Sequence, residues 1–161
     1  ASGTVVLNCN KLIIPKSRVL KVITPEQMSI TDSGAVFGVT PQILGLCTEC
    51  VRSITRLSEN RNSPSLAEHA QKLREEITTM RREIDLLRSE ALNEESKSKS
   101  LELRAECIVM GVRFAHAVVA ATGGSANDRS NSAQRLFREA MFYTLTAQTK
   151  DIQAATLNLL A

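Results

Sequence analysis

Few side chains in this sequence are reactive. Cys47-Thr48-Glu49-Cys50 forms a C-x-x-C pair, Cys9 and Cys107 stand alone, and the histidines are His69 and His116. A C-x-x-C pair works as a redox dithiol at an exposed helix N-terminus, or supplies half of a zinc site. Here it falls inside a helical apolar pattern, and a zinc ion would have to draw its other ligands from distant Cys9, Cys107, His69 or His116. The spacing predicts buried helical thiols and no metal site. Thiols scattered through a chain this long also read as reduced rather than as a disulfide framework, which points to a cytoplasmic setting. His116 lies in the apolar run from Phe114 to Ala117. That predicts a desolvated imidazole satisfied by a hydrogen bond to a neighbouring helix.

The elements that must hold these groups follow from composition and periodicity. With 161 residues, 43% of them hydrophobic but only 3% aromatic, Leu, Ile, Val, Met and Ala have to fill the core, which suits packed helices in one domain with a small appendage. The 20 basic and 17 acidic residues are interspersed, so no basic stripe points to nucleic acid. No uninterrupted apolar run approaches the roughly 18 residues of a membrane span, and no charged-then-apolar signal pattern opens the sequence.

Residues 1–30 read as short strands, Thr4 to Leu7, Leu12 to Ile14 and Val19 to Ile23, punctuated by Asn8, Asn10, Pro15 and Pro25. So short a set cannot bury a sheet of its own and reads as the edge of a larger one. From residue 31 to 161 the period becomes helical. Thr31 or Asp32 is placed to cap a first helix running through Ile43, Leu46, Cys50, Ile54 and Leu57, with Pro41 tolerated or kinking it. Ser63 and Pro64 open a second, whose stripe is Leu66, Ala70, Leu73, Ile77, Met80, Ile84, Leu87 and Ala91. Its mixed charges, Arg74 to Asp85, read as a solvated outer face. The polar stretch Asn93 to Ser100 reads as a turn, in preference to the solvated middle of two stacked helical segments, and a third helix follows from about Leu101. That helix is apolar almost all round from Ile108 to Ala121 and stops at Gly123-Gly124. A fourth helix carries Leu136, Phe137, Ala140 and Tyr143, and a short last one spans Ile152 to Leu160.

Taken in order, ASGTVVLNCNKLIIPKSRVL, the helix with GAVFGV, SLAEHAQ, ATGGSA and SNSAQRLFREAMFYTLTAQTKDIQAATLNLL, the chain resembles the second half of the acyl-CoA dehydrogenase family. The closing block carries most of the likeness: a Gly-Gly turn, then Arg135 to Ala140 as Arg-x-x-Arg-[Asp/Glu]-Ala, then Thr149 opening the last helix. The opening adds Ile13-Ile14-Pro15 and Arg18-Val19-Leu20, which are similar to the end of that family's middle β-domain.

The resemblance implies a mainly α fold, an antiparallel up-down four-helix bundle of the C-terminal kind preceded by a short β segment, with FAD held between subunits of a homo-oligomer, a tetramer or dimer. It implies cofactor contacts from Gly123 and Gly124, from Thr149, Lys150 and Asp151 at the start of the last helix, and from His69 on the second helix, where the family's following glutamine is Ala70. It also implies oxidation of CH-CH donors such as acyl thioesters in a complete protein. The family's usual glutamate base and the glycine after it are Ala147 and Gln148 here, and alanine cannot accept a proton. Glu26 and Asp32 are the acids near the alternative base position, and neither aligns, so no catalytic residue is assigned. The family's Arg-x-x-Phe-Gly is missing from RLSENRNSPS, where Arg56 or Arg61 stands nearest. These departures leave a second expectation: a non-enzymatic helical assembly module derived from the same fold, without flavin.

Overall fold

The computed structural model describes residues 6, 8–28, 36–90 and 93–161. These residues are mainly helical, and none of them is in a strand. Five long helices follow one another: α1 (Thr40–Asn60), α2 (Pro64–Ser89), α3 (Glu94–Thr122), α4 (Ser132–Leu145) and α5 (Lys150–Leu160).

None of the expected strands is formed among the described residues. Leu12 to Ile14 and Val19 to Ile23 flank a single turn, Lys16–Arg18, with no ladder partner, and most of Thr4 to Leu7 lies outside the described residues. Every described residue before Val36 is exposed, so the core is drawn from Val36 onward. Apolar side chains such as Ile13 and Leu20 have nothing to pack on without further strands.

Two boundaries differ from the pattern-based expectation. α1 starts at Thr40, so Pro41 sits in its first turn, where a missing N–H costs nothing. Thr31 and Asp32, the expected caps, lie outside the described residues. Asn93 to Ser100 is not a turn but the start of α3. The Asn93 Oδ1 accepts the Ser96 N–H at 2.8 Å and the Ser96 Oγ accepts the Asn93 N–H at 2.9 Å. This reciprocal cap, with Glu94 and Glu95 in the first turn facing the helix's positive end, lets a polar sequence begin a helix.

α3 is the spine. It touches all four other helices, α1, α4 and α5 most extensively, while α2 rests chiefly on α1. Phe114, Ala115, Cys107 and Ala105 are fully buried along it, as its all-round apolarity requires. Its far end is held from outside. Arg61, just beyond α1, donates from Nη1 to the Ala121 carbonyl at 2.6 Å and from Nη2 to the Thr122 carbonyl at 3.1 Å. A cation on the last carbonyls of a helix satisfies groups that have no partner within it. Gly123 then ends the helix at φ 76°, a conformation that favours glycine.

The second helix behaves as its stripe demands: Ala70, Leu73, Ile77, Met80, Ile84 and Leu87 are buried. Glu76 pairs with Arg113 and Leu87 lies by Leu103, so α2 returns along α3 in the opposite sense. By length and composition the helical stretch from Glu94 to Asn127 is apolar enough to cross a membrane, an 18-residue window within it having a mean hydropathy of 1.5, although no uninterrupted apolar run marks it in the sequence. A core helix meets the same criterion, and in this fold the stretch is the helix around which the others pack.

α3 lies close to α1 at Gly111, where an added Cβ would lie 3.0 Å from Cγ2 of the buried Ile43. A larger side chain there has to displace Ile43 within a packed core. Gly111→Val is expected to cost about 2 kcal/mol, a drop of roughly 4–8 °C in the melting midpoint measured by circular dichroism. An unchanged midpoint contradicts this packing.

Candidate functional site

Cys47, Cys50 and Cys107 are fully buried and unbonded, in the middle of α1 and α3. Burial pushes the Cys50 and Cys107 thiols up to about 12 and raises Cys47 in the same direction. Such thiols are poor nucleophiles and poor metal ligands. No group of His, Cys, Asp and Glu among the described residues is arranged to hold a metal ion. The C-x-x-C is thus the buried pair its position predicts.

His116 is not desolvated. It lies exposed on α3, its ring edge-on to Phe137 with centroids 6.3 Å apart. Phe137 belongs to α4, which borders the imidazole without burying it.

The residues singled out by resemblance fall into two groups at different ends of the spine. Gly123 and Gly124 form the exposed turn just beyond α3, beside the Arg61 clamp, and exposed His69 lies on the first turns of α2. Nothing lies within 4 Å of the place where a Cβ on either glycine would sit. Thr149, Lys150 and Asp151 open α5 at the other end. The Thr149 Oγ1 accepts the Ile152 N–H at 3.3 Å, and Lys150 and Asp151 are exposed in the first turn. The position of this second group is fixed by Arg104, whose Nη2 donates to the Thr146 carbonyl at 3.3 Å. From residue 104 to residue 122 the spine rises ~27 Å at 1.5 Å per residue. The two groups therefore do not share a pocket.

The alternative candidates are engaged elsewhere. Glu26 sits in a fully exposed helical turn, where its backbone and Thr24 hold its carboxyl below the usual range, the wrong direction for a proton-abstracting base. Asp32 lies outside the described residues. Arg56 pairs with Glu49 at 3.3 Å, and Arg61 is the clamp on α3. Ala147, at the family's base position, is exposed and adopts φ 52°.

The surface offers two larger features. A shallow hollow of about 600 Å³ on α4 is lined by Arg135, Arg138, Met141, Phe142 and Leu145. Leu157 and Leu160 of α5 are exposed apolar side chains in their own right. Between α2 and α3 a groove of about 300 Å³ gathers Glu83, Glu90, Glu102 and Glu106 around Lys99. Partial burial, then the charges of Glu83 and Glu102, raise the Glu106 carboxyl.

One buried group went unmarked in the sequence. Arg104 occupies the position on α3 that continues the buried stripe of Cys107, Ile108, Gly111 and Ala115, and it is 0% exposed. A basic residue at a core position of an otherwise apolar repeat was the available signal. No family model, curated protein or solved structure matches this chain.

Two outcomes follow for these side chains. In the native protein a thiol reagent at pH 8 labels exposed Cys9 at once and reaches the other three only on unfolding; rapid native labelling of three or four contradicts the buried thiols. A raised carboxyl opposes ionisation in the fold, so Glu106 costs stability above its own pKa. Glu106→Gln is expected to raise the melting midpoint at pH 7. That gain should shrink as pH falls through the Glu106 pKa and vanish below the ordinary carboxylate range; a gain that persists in acid contradicts the assignment.

Proposed function

We propose that this chain is the C-terminal helical bundle, of the antiparallel up-down four-helix kind, of an acyl-CoA dehydrogenase-like, FAD-dependent oxidoreductase, in which it supplies cofactor contacts and an oligomer interface. The supporting observation is Gly124. Its neighbour Gly123 needs to be glycine for its positive φ, but Gly124 has an ordinary backbone and open space around it. A bare backbone that internal packing does not demand suits close approach by something outside the chain. The residues present fit an extended cofactor at that turn, with its polar edge near exposed His69.

In this reading the two ends of α3 serve different cofactor molecules, because ~27 Å of helix separates them. The first turn of α5 presents backbone N–H groups, and the Lys150 side chain stands beside them, a setting for phosphate or ribose oxygens. The flavin would supply hydride chemistry, and this chain holds and orients it. The apolar surface of α4 and α5 (Met141, Phe142, Leu145, Leu157, Leu160) is the natural contact for another subunit in a dimer or tetramer.

A second reading keeps the interface and drops the flavin: a helical assembly module. Ala147 favours it, since the turn where the family carries its base presents a methyl group to solvent.

Titration of the protein with FAD, followed by quenching of flavin fluorescence and by the shape of the ~450 nm band, separates the two. The flavoprotein reading predicts saturable binding that Gly124→Leu weakens at least tenfold without changing the melting midpoint, since that position has no internal neighbours. Association of the protein without any saturable flavin signal overturns it in favour of the assembly module.

A further inference from the structure

We infer that Arg104 and the turn over it, Thr146 to Thr149, form a binding site for a compact oxyanion of the carboxylate or phosphate class. The inference goes beyond the flavin reading and does not rest on it.

Arg104 is the largest fully buried side chain of the described residues. A guanidinium carries five N–H donors and a charge that cannot be discharged, and taking it out of water costs several kcal/mol unless an anion compensates. Only Nη2 is engaged, by the neutral Thr146 carbonyl, and Nε and Nη1 have no partner. No carboxylate among the described residues pairs with it. The one charged-type neighbour is Cys107, whose thiol is held protonated by burial. A single carbonyl accounts for Arg104 as a cap on the end of α4, but leaves the charge and two nitrogens unanswered.

The turn above it has the marks of a site. Ala147 adopts φ 52°, which costs a residue with a Cβ roughly 1 kcal/mol or more. The next side chain, Gln148, has its Oε1 buried and without a partner. An unpaired acceptor and a strained backbone thus stand within the four-residue turn whose first carbonyl is bonded to the under-paired Arg104. The strain at Ala147 is not imposed by burial, since Ala147 and Thr149 are exposed. A planar fork is the geometry that takes two oxygens of a carboxylate or phosphate at once. Gln148 adds an acceptor for a hydroxyl or N–H on the same ligand.

Access runs through the turn. α5 is the shortest of the five helices, and among its residues only Ile152 and Thr156 are buried, so it is the element most easily displaced. Entry of the anion would compensate Arg104 and fix the turn.

The test is titration of the 161-residue protein with sodium phosphate and, separately, sodium acetate, at ionic strength held constant with sodium chloride. Two signals are followed: the melting midpoint, and the arginine Nε–Hε resonances in a ¹⁵N-labelled sample. With the probe that binds, the midpoint is expected to rise with the logarithm of concentration, by roughly 2–4 °C at about five times the dissociation constant. One arginine Nε–Hε resonance, absent in Arg104→Met, should shift saturably. The probe that acts identifies the anion class. An equal rise in wild type and Arg104→Met, or no saturable shift with either probe, overturns the site. If Arg104→Met fails to fold, Arg104→Lys keeps the charge but loses the fork, and its affinity should be at least tenfold weaker. An affinity equal to that of wild type also overturns the site.

Discussion

Everything in this fold leans on the burial of one helix. α3 is apolar on nearly every face, and a helix of that kind is stable in water only if other helices cover it on several sides. α1 covers it at the Gly111–Ile43 contact, close enough that an added Cβ would crowd the Ile43 side chain. α4 and α5 cover two further flanks, and α2 completes the set while depending mainly on α1. Fully burying a side chain such as Phe114 is worth about 1.5–3 kcal/mol, and α3 carries the densest run of such residues. Propensity alone would not hold it together, since Val112, Val118 and Val119 are indifferent helix formers.

The same constraint fixes where function can reside. A spine covered along its middle, except on the flank that carries Arg113 and His116, presents its surroundings to the outside chiefly at its ends. At one end the Arg61 clamp and the Asn60 to Ser63 connection hold the Gly123–Gly124 turn in place. At the other, Arg104 reaches from α3 to the α4–α5 turn and so places Thr149. Both candidate ligand positions are thus hung from arginines that grip carbonyls at a helix end. One of these arginines is exposed and inexpensive, and the other is buried, so its charge demands more than a carbonyl.

Much of the helical layout was legible in the sequence because it is written in periodicity. The α2 stripe from Ala70 to Leu87 and the Gly123 stop stand where spacing put them, Thr149 caps the last helix at the position drawn from the resemblance, and the C-x-x-C lies buried as its apolar surroundings imply. What was hidden depends on pairing across distance or on one reciprocal contact. Asn93 to Ser100 reads as polar and turn-like, yet the Asn93–Ser96 exchange of hydrogen bonds makes it the start of α3. β-branched runs near the N-terminus read as strands, but a strand needs a neighbour, and none is formed by the described residues. His116 sits among apolar residues in sequence and in water in space, because a helix turns its side chains about 100° per residue and the uncovered flank fell to it. Arg104 was the hardest to see: its place in the α3 repeat was the one local signal, and its partner, the Thr146 carbonyl, lies 42 residues away in the chain.

The claim on which the rest stands is that α3 is the spine. Native-state amide hydrogen exchange resolved by residue tests it most directly, because the slowest-exchanging amides report the element that opens only with global unfolding. The account predicts that the amides from Cys107 to Val118 exchange slowest of all, with α1 next and α5 fastest of the five helices. Protection in α2 that exceeds that of α3, or an α3 that exchanges as fast as α5, would contradict it.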